Sequence, residues 1–528
     1  MKNKIFFFLF LFMVLSAWVL AQPTVVPVND KVYEFLERME IKGIVTYSFS
    51  KPFTYNYVKE SLELISKNDS LLTTLDNEDL HWYVEKFGAG SIENKKMLLQ
   101  YHNTDFYIGL SPVLGYRVTQ TYHEIETKRW GLGVNIISSV DNKWGFQMDF
   151  RDNSETGKKI DRTKLFSNET GIQIIGGKGD EIQYSEVKGG ISYSDGIVFA
   201  MIGKEWFKWG SGYRGNLILS HKAPSFPFFR LDITPTDWMR FYYIHAWLNS
   251  RVPDSSSFYN TSIDVPRLID REKYYAAHAI EIKPLSGLTV TLGESIVYSD
   301  QLKVGYFVPV LFFRLVDHYY EGSDAFGKGG NSQIFGDASY SFHNYKAYTS
   351  FFIDEFSLTN FLKGNNSRNQ IGFTLGLAKC DVIPNLMARM EYTRILPWVY
   401  SNFIQTQTYT NSNYLMGHYI GQNADQVFLQ LDYRWRRGLE SKVWGEHIRR
   451  GGFASIQNQY EPPGQPFLYG PRMNETNIGL EVSYEYLHDL FGKVYYQYSY
   501  VTDEDTTRTP AWQLGSNHAF GVSVQYGI

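Results

Sequence analysis

From Phe520 to Ile528 the chain alternates without a break: Phe520, Val522, Val524, Tyr526 and Ile528 fall on one face, and Gly521, Ser523, Gln525 and Gly527 on the other. Period two is the signature of a strand, whose successive side chains point to opposite faces. One face of this strand is apolar and the other is small or polar, the pattern of a membrane barrel wall with lipid outside and a polar lumen inside. Hydrocarbon offers no water to satisfy backbone N–H and C=O groups, so such a strand requires a closed barrel.

Working backward, alternating segments recur at 493–502 (with Val494, Tyr496, Tyr498 and Tyr500), 476–487, 440–449, 425–434, 386–394, 370–379, 346–357 and 334–343. Others fall at 287–298, 273–284, 237–249, 196–205, 183–194, 143–152, 127–140 and 104–121. Short connections such as Asp141-Asn142, Ser194-Asp195-Gly196, His343-Asn344 and Arg436-Arg437-Gly438 carry turn residues. They alternate with long ones at 153–182, 250–272, 299–333, 395–424, 450–475 and 503–514. A barrel places its short turns in the periplasm and its long loops outside. With the last strand the segments number seventeen, and one crossing is missing between 196–205 and 237–249. The apolar stretch Asn216 to His221 is assigned to it, which makes an even eighteen. A split of 104–121 at Gly115 would spoil that count. The fold expected is mostly β: an 18-stranded antiparallel transmembrane β-barrel.

The start of the chain reads differently. Lys2 and Lys4, an apolar run from Ile5 to Leu15 and a small residue at Ala21 describe a signal peptide over 1–21. The residue after it is Gln22, not a lipoprotein cysteine. Over 22–101 the period is helical. Val32, Phe35, Leu36 and Met39 share one stripe that stops at Gly43; Val58, Leu62 and Ile65 make a second. Leu80, Tyr83, Val84 and Phe87 make a third, with Thr74 or Asp76 as N-cap and Gly88 as the stop. Three short amphipathic helices must hide these stripes against one another or a neighbour, and the periplasmic mouth of a barrel over 102–528 is that neighbour. Aromatic residues make up 17% of the chain, with 39 Tyr, 37 Phe and 12 Trp, as interface girdles demand. A soluble propeller is the competing reading of that composition. Cys380 is the single cysteine, so no intrachain disulfide forms, and 51 basic against 55 acidic residues give no sign of a nucleic-acid partner.

Gly210-Ser211-Gly212-Tyr213-Arg214-Gly215 matches a dinucleotide fingerprint literally, but Pro224 and Pro227 follow where a long helix should run, so the glycines are read as loop geometry. Gly322 to Lys328 starts like a P-loop and then has Gly329 where a Ser or Thr belongs. Neither a metal-hydrolase motif nor an esterase elbow is present, and Asp317 and Glu321 stand in a loop without a partner signal. No catalytic residue, metal or cofactor is therefore expected, and the chain is read as a non-enzyme. Aromatic faces stack on sugar rings and Arg forks grip carboxylates. On that chemistry the carbohydrate-binding candidates are Trp206, Trp209, Tyr213, Arg214, Trp398, Tyr400, Arg449, Arg450, Tyr460, Tyr469 and Arg472, although Trp206 and Trp209 so close to several glycines resemble a packed structural plug holding the lumen shut more than an exposed platform. The apolar run from Phe307 to Phe313 is expected to fold inward and narrow the pore.

Gly203 to Gly212, followed by Leu217-Ile218-Leu219-Ser220 and Ala223-Pro224, resembles the capsule-assembly Wzi family, as does the segment Val32 to Arg38. The resemblance implies an eighteen-stranded outer-membrane barrel with a periplasmic helical bundle, acting as a surface lectin for capsular or extracellular polysaccharide. Outer-membrane lipid is the other partner, and a monomer is favoured. The alternative is an outer-membrane porin or diffusion channel for oligosaccharides or other small solutes.

Overall fold

The computed structural model describes residues 23–45, 48–88, 97–121, 126–158, 160–321, 329–355, 369–453, 456–460 and 465–527. The expected signal peptide, the P-loop-like residues 322–328 and Ile528 lie outside these.

Eighteen antiparallel strands close into one barrel, from Phe106–Thr121 to Gly515–Tyr526. The seam joins the last strand to the first, with Ala519 opposite Thr121 and Tyr526 opposite Leu114. Below the seam a short strand, Leu99–His102, continues the pairing along the first strand. Phe520, Val522 and Val524 are exposed on the outer wall, as their alternation requires. Gly521 faces inward, where a Cβ would run into the Tyr495 ring. The first strand runs unbroken through Gly115.

The missing crossing exists, but a different segment makes it. Phe226–Thr236 pairs with Val198–Glu205 on one side and with Met239–Asn260 on the other. Pro227 and Pro235 disguise it as a loop, and its inward positions carry Phe226 and Phe228 where a water-filled lumen would want polar residues. Those phenyl rings are inside because the lumen there is packed with chain. Leu217, Ile218 and Leu219, assigned to the wall from the sequence, belong to that packing and are fully buried.

Short turns gather at one end of the barrel and long connections at the other. Trp144, Trp238, Phe342, Trp435 and Tyr486 are exposed near the turn end, the placement of an interface girdle. The connection expected at 250–272 is mostly strand, because Met239–Asn260 and Pro266–Leu285 extend as one hairpin beyond the rim. Phe307 to Phe313 does not fold inward. It lies on the outside of the barrel, with Tyr306 and Phe313 packed on Tyr243, Tyr274 and Tyr298 of the outer wall.

Three helices, α1 (Val32–Ile41), α2 (Tyr55–Ser66) and α3 (Thr74–Phe87), share a core of Phe35, Leu36, Met39, Val58, Leu62 and Phe87. Thr73, one residue before the expected cap, opens α3 in a capping box with Asp76; Gly88 closes it in the left-handed conformation at φ 60°. The bundle sits in the turn-end mouth, tied to lumen-facing side chains of the wall. Glu37 meets Arg389 at 2.9 Å, Glu40 meets Lys346 at 2.7 Å and Lys442 meets Glu34 at 2.9 Å. Asp76 binds both Arg38 at 2.8 Å and Arg434 at 2.6 Å, and Lys86 reaches Asp489 at 2.7 Å. Apart from the part-exposed Glu34, these groups are largely buried, so losing one partner strands the other charge.

Two opposed pH trends follow for this docking. Burial alone would raise Asp76 and Glu37, but Arg38 and Arg434 around Asp76, and Arg389 and Lys346 around Glu37, hold both below the ordinary carboxylate range. Their contribution is full above the unfolded pKa of about 4 and fades as the pH falls. Burial outweighs the cations at Asp79 and Glu40 and raises both, Asp79 to about 6. Their contribution is full below about 4 and is lost as the pH rises through the folded values. Limited proteolysis of the helical segment should therefore show greatest protection between about pH 4 and 6, with Asp79→Asn flattening the upper side. Asp76→Ala should weaken docking by about 3–5 kcal/mol at any pH above this range. Deleting 515–528 should open the seam and abolish heat-modifiable migration on a gel, since the first strand would face hydrocarbon unpaired.

Candidate functional site

The stretch after Val198–Glu205 turns into the lumen rather than over the rim. Lys208–Trp209 forms a two-residue ladder with Ser50–Lys51 of the N-terminal region, which therefore also enters the barrel. Gly210, at φ 121°, makes the bend that only glycine takes easily. A Cβ on Gly215 would run into the His418 imidazole. Carboxylates on the inner wall then catch the backbone. Asp337 accepts from Ser211 N at 2.8 Å and from its Oγ at 2.6 Å, and Glu391 accepts from Tyr213 N at 2.7 Å. Glu446 takes Arg214 in a two-pronged pair, Nε and Nη2 both at 2.8 Å. A third inward segment, from the 396–423 connection, seals the top: Tyr400 and Tyr409 donate to the carbonyls of Leu217 and Ile218, each at 2.7 Å.

Trp209 is wholly buried in this plug, its ring 5.4 Å from Phe49, 6.0 Å from Phe335 and 6.4 Å from Tyr242. Tyr213 lies beneath the Arg389 guanidinium at 3.5 Å and receives a hydrogen bond from Gln430 at 2.7 Å. Trp398 and Tyr400 are also buried, and Trp398 stacks on the half-buried Tyr469 at 5.7 Å. Arg450 is buried against Glu475 at 2.8 Å. Arg449 is half exposed on the outer wall beside Asp425, and Arg472 is exposed in the loops. Tyr460 ends a short 3-10 turn, and its side chain lies outside the described residues. Of the candidates whose side chains are described, Trp206 and Arg214 line the cavity beside the plug.

That cavity, about 960 Å³, occupies the part of the lumen enclosed by the first strands and the last. Sequence reasoning missed its lining. Lys493 lies opposite Ser523, Ser523 opposite Arg117, and Arg117 opposite Arg129, so three cations share one belt across four neighbouring strands. Directly opposed like charges are unfavourable in a sheet unless something compensates. Glu481 answers Lys493 at 2.9 Å, Glu169 answers Arg117 at 3.2 Å, and Glu155 stands 3.7 Å from Arg129. The Lys164 ammonium beside Glu169 outweighs the upward push of burial and, with Arg117, holds its carboxyl below the ordinary range. Trp206, Trp444 and Trp512 add half-buried aromatic faces to the same cavity. Paired donors and acceptors around half-buried indoles suit a ligand rich in hydroxyls. The legible signal was parity: Arg117 and Arg129 sit one residue from the lipid-facing Tyr116 and Trp130.

A model of the capsule assembly protein Wzi family matches residues 188–512, more than half of the chain. The chain belongs to the Wzi family. The matched span holds the whole inward segment from Lys208 to Ser220 and the wall carboxylates that anchor it. Among solved structures the fold resembles Wzi of Escherichia coli, described as an outer-membrane protein involved in group 1 capsule assembly and a carbohydrate-binding β-barrel. That likeness has 11% identity and a TM-score of 0.58, and covers 96% of this chain and 100% of that one. OccAB2 of Acinetobacter baumannii has 10% identity and a TM-score of 0.45, covering 79% of this chain and 98% of that one. A search of curated proteins by sequence found no match. Membership in the Wzi family places the chain in the outer membrane.

Because Trp209 is a packing residue and not an exposed platform, Trp209→Ala should destabilise the plug by about 3–5 kcal/mol. Heat-modifiability gels should show a lower unfolding temperature for the variant, where an exposed stacking residue would leave it unchanged.

Proposed function

We propose that this protein is a carbohydrate-binding surface barrel that holds capsular or related extracellular polysaccharide without chemically altering it. The observation that carries the reading is the division of the lumen: a plug fixed to the wall by Asp337, Glu391 and Glu446 on one side, and a polar, tryptophan-lined cavity on the other. A diffusion channel gains nothing from an interior stopper built of buried aromatics. A receptor gains a rigid floor and walls. Family membership and the carbohydrate-binding character of the Escherichia coli barrel support the same reading.

In this reading residues 1–21 direct export and are removed, 22–101 form a helical plug in the periplasmic mouth, and 102–528 form the barrel with its long loops at the cell surface. Saccharide enters from the loop end and stacks on Trp206, Trp444 or Trp512, with Arg117, Arg129 and Arg214 and their carboxylates bonding its hydroxyl or acidic groups. Tyr460, Tyr469 and Arg472 of the long loops guide the chain toward that mouth.

A channel for small solutes is the second reading, because the cavity extends from Trp512 near the loop end to Val28 and Asn29 of the N-terminal region. A glycan array with purified barrel, repeated for Trp444→Ala and Trp512→Ala, tests the first. Each lost stacking face should weaken binding about tenfold, the equivalent of ~1.4 kcal/mol. Large, steady single-channel conductance from the unaltered protein, with no glycan retained, would favour the second.

A further inference from the structure

Toward the loop end the outer wall carries polar groups such as Arg449 and Asp425, and below them its exposed side chains are mostly apolar, but on three neighbouring strands ionisable groups stand among those apolar residues. On Met239–Asn260, Pro266–Leu285 and Leu288–Ser299 the outer wall carries His245, His278 and Glu294. His278 Nε2 stands 3.1 Å from Glu294 Oε1, and His245 Nε2 is 2.7 Å from the Tyr298 hydroxyl. Their height is fixed by the ladder. Ile334, directly opposite Glu294 on the next strand, is 49% exposed on the same wall, and Leu292 and Ile280, two residues nearer the turn end, are exposed as well. Ionisable groups thus face outward at the level of the lipid-facing belt, where bare contact with hydrocarbon is expensive.

The connection after Ser299 covers them. Phe313, at the start of α4 (Phe313–Glu321), is buried against the His278 ring at 4.5 Å, and its backbone N–H donates to Glu294. Phe307 stacks on His245 at 3.9 Å. Tyr243 on the wall donates to the Tyr306 carbonyl at 2.7 Å, and Tyr306 in turn donates to Asp317 at 2.8 Å. The far side of this covering is apolar: Val304 is 72% exposed, Val310 79% and Leu315 67%. A solvated loop at a cell surface does not present such a ridge without a partner.

We infer that the segment from Val304 to Leu315 is a flap embedded in the lipid of the leaflet at the loop end, its ridge taking the place of the wall against the acyl chains. Its inner side supplies aromatic rings and a backbone donor to the outward His and Glu groups, and its outer side continues the apolar belt past them. The occupant is hydrocarbon, because the ridge lies outside the wall beside Ile334 and Ile280 and continues their exposed surface.

The test is depth measurement by spin labelling. Val310→Cys and Leu315→Cys, each carrying a nitroxide, are reconstituted in dimyristoylphosphatidylcholine vesicles beside Leu429→Cys on the lipid-facing belt and Arg472→Cys in the loops. The native Cys380 is buried, and the labelled parent protein reports its background. Collision with oxygen should exceed collision with a water-soluble nickel chelate at positions 310 and 315 in the same ratio as at 429. Nickel accessibility like that at 472 would overturn the inference by placing the ridge in water. Shielding from both reagents would overturn it in favour of a second copy of the chain seated on the flap. Heat-modifiable migration of each labelled variant confirms that the barrel has formed.

Discussion

Everything in this structure depends on the demand that backbone polar groups be paired within hydrocarbon. The pairing of Ala519–Tyr526 with Leu114–Thr121 meets that demand by closing the wall, and closure at eighteen strands has a geometric consequence. Barrels of about eight strands fill their interior with side chains, whereas those of about sixteen or more leave a wide lumen. Here part of that space is filled by the chain itself. The N-terminal segment around Phe49, the stretch from Lys208 to Ser220 and the segment holding Tyr400 and Tyr409 converge on one apolar cluster inside the wall.

Inserting irregular backbone into a barrel creates its own difficulty, since its N–H groups need acceptors away from water. Asp337 and Glu391 supply them from the wall, and Glu446 holds the single guanidinium of Arg214. The carboxylates give the plug a specific seat, which hydrophobic burial alone would not, since apolar surfaces slide more readily than hydrogen-bonded ones. The helical bundle is seated by the same means at the turn end, through Glu37, Glu40 and Asp76. The cavity survives because neither insertion reaches the belt of Lys493, Arg117 and Arg129, whose charges are balanced by neighbouring carboxylates while their donors still face open space.

The barrel and its helices were legible because each rests on local alternation or local period. Val522 and Val524 can face lipid only from one strand register, and the stripe of Val32, Phe35 and Leu36 can be hidden only on one helix face. Strand number came from parity, yet the strand itself was misplaced: Pro227 and Pro235 look like loop residues, and the inward Phe226 and Phe228 look wrong for a lumen unless the lumen is known to be packed. The binding candidates suffered for the same reason. Trp398 and Tyr400 sit in a connection, and connections are usually solvated. This connection turns inward, so its aromatic residues are buried.

The sequence by itself determined a closed antiparallel wall, the faces of its strands, three N-terminal helices and family membership, because these follow from the period of the side chains and from residues contiguous in the chain. Only the tertiary structure decided what stands on either side of that wall. Whether 206–222 enters the lumen and 304–321 lies against the outside depends on acceptors and surfaces contributed by strands a hundred or more residues away for the first and by three neighbouring strands for the second. Periodicity records which face a residue occupies within its own element, and it carries no record of what a distant element brings to meet that face.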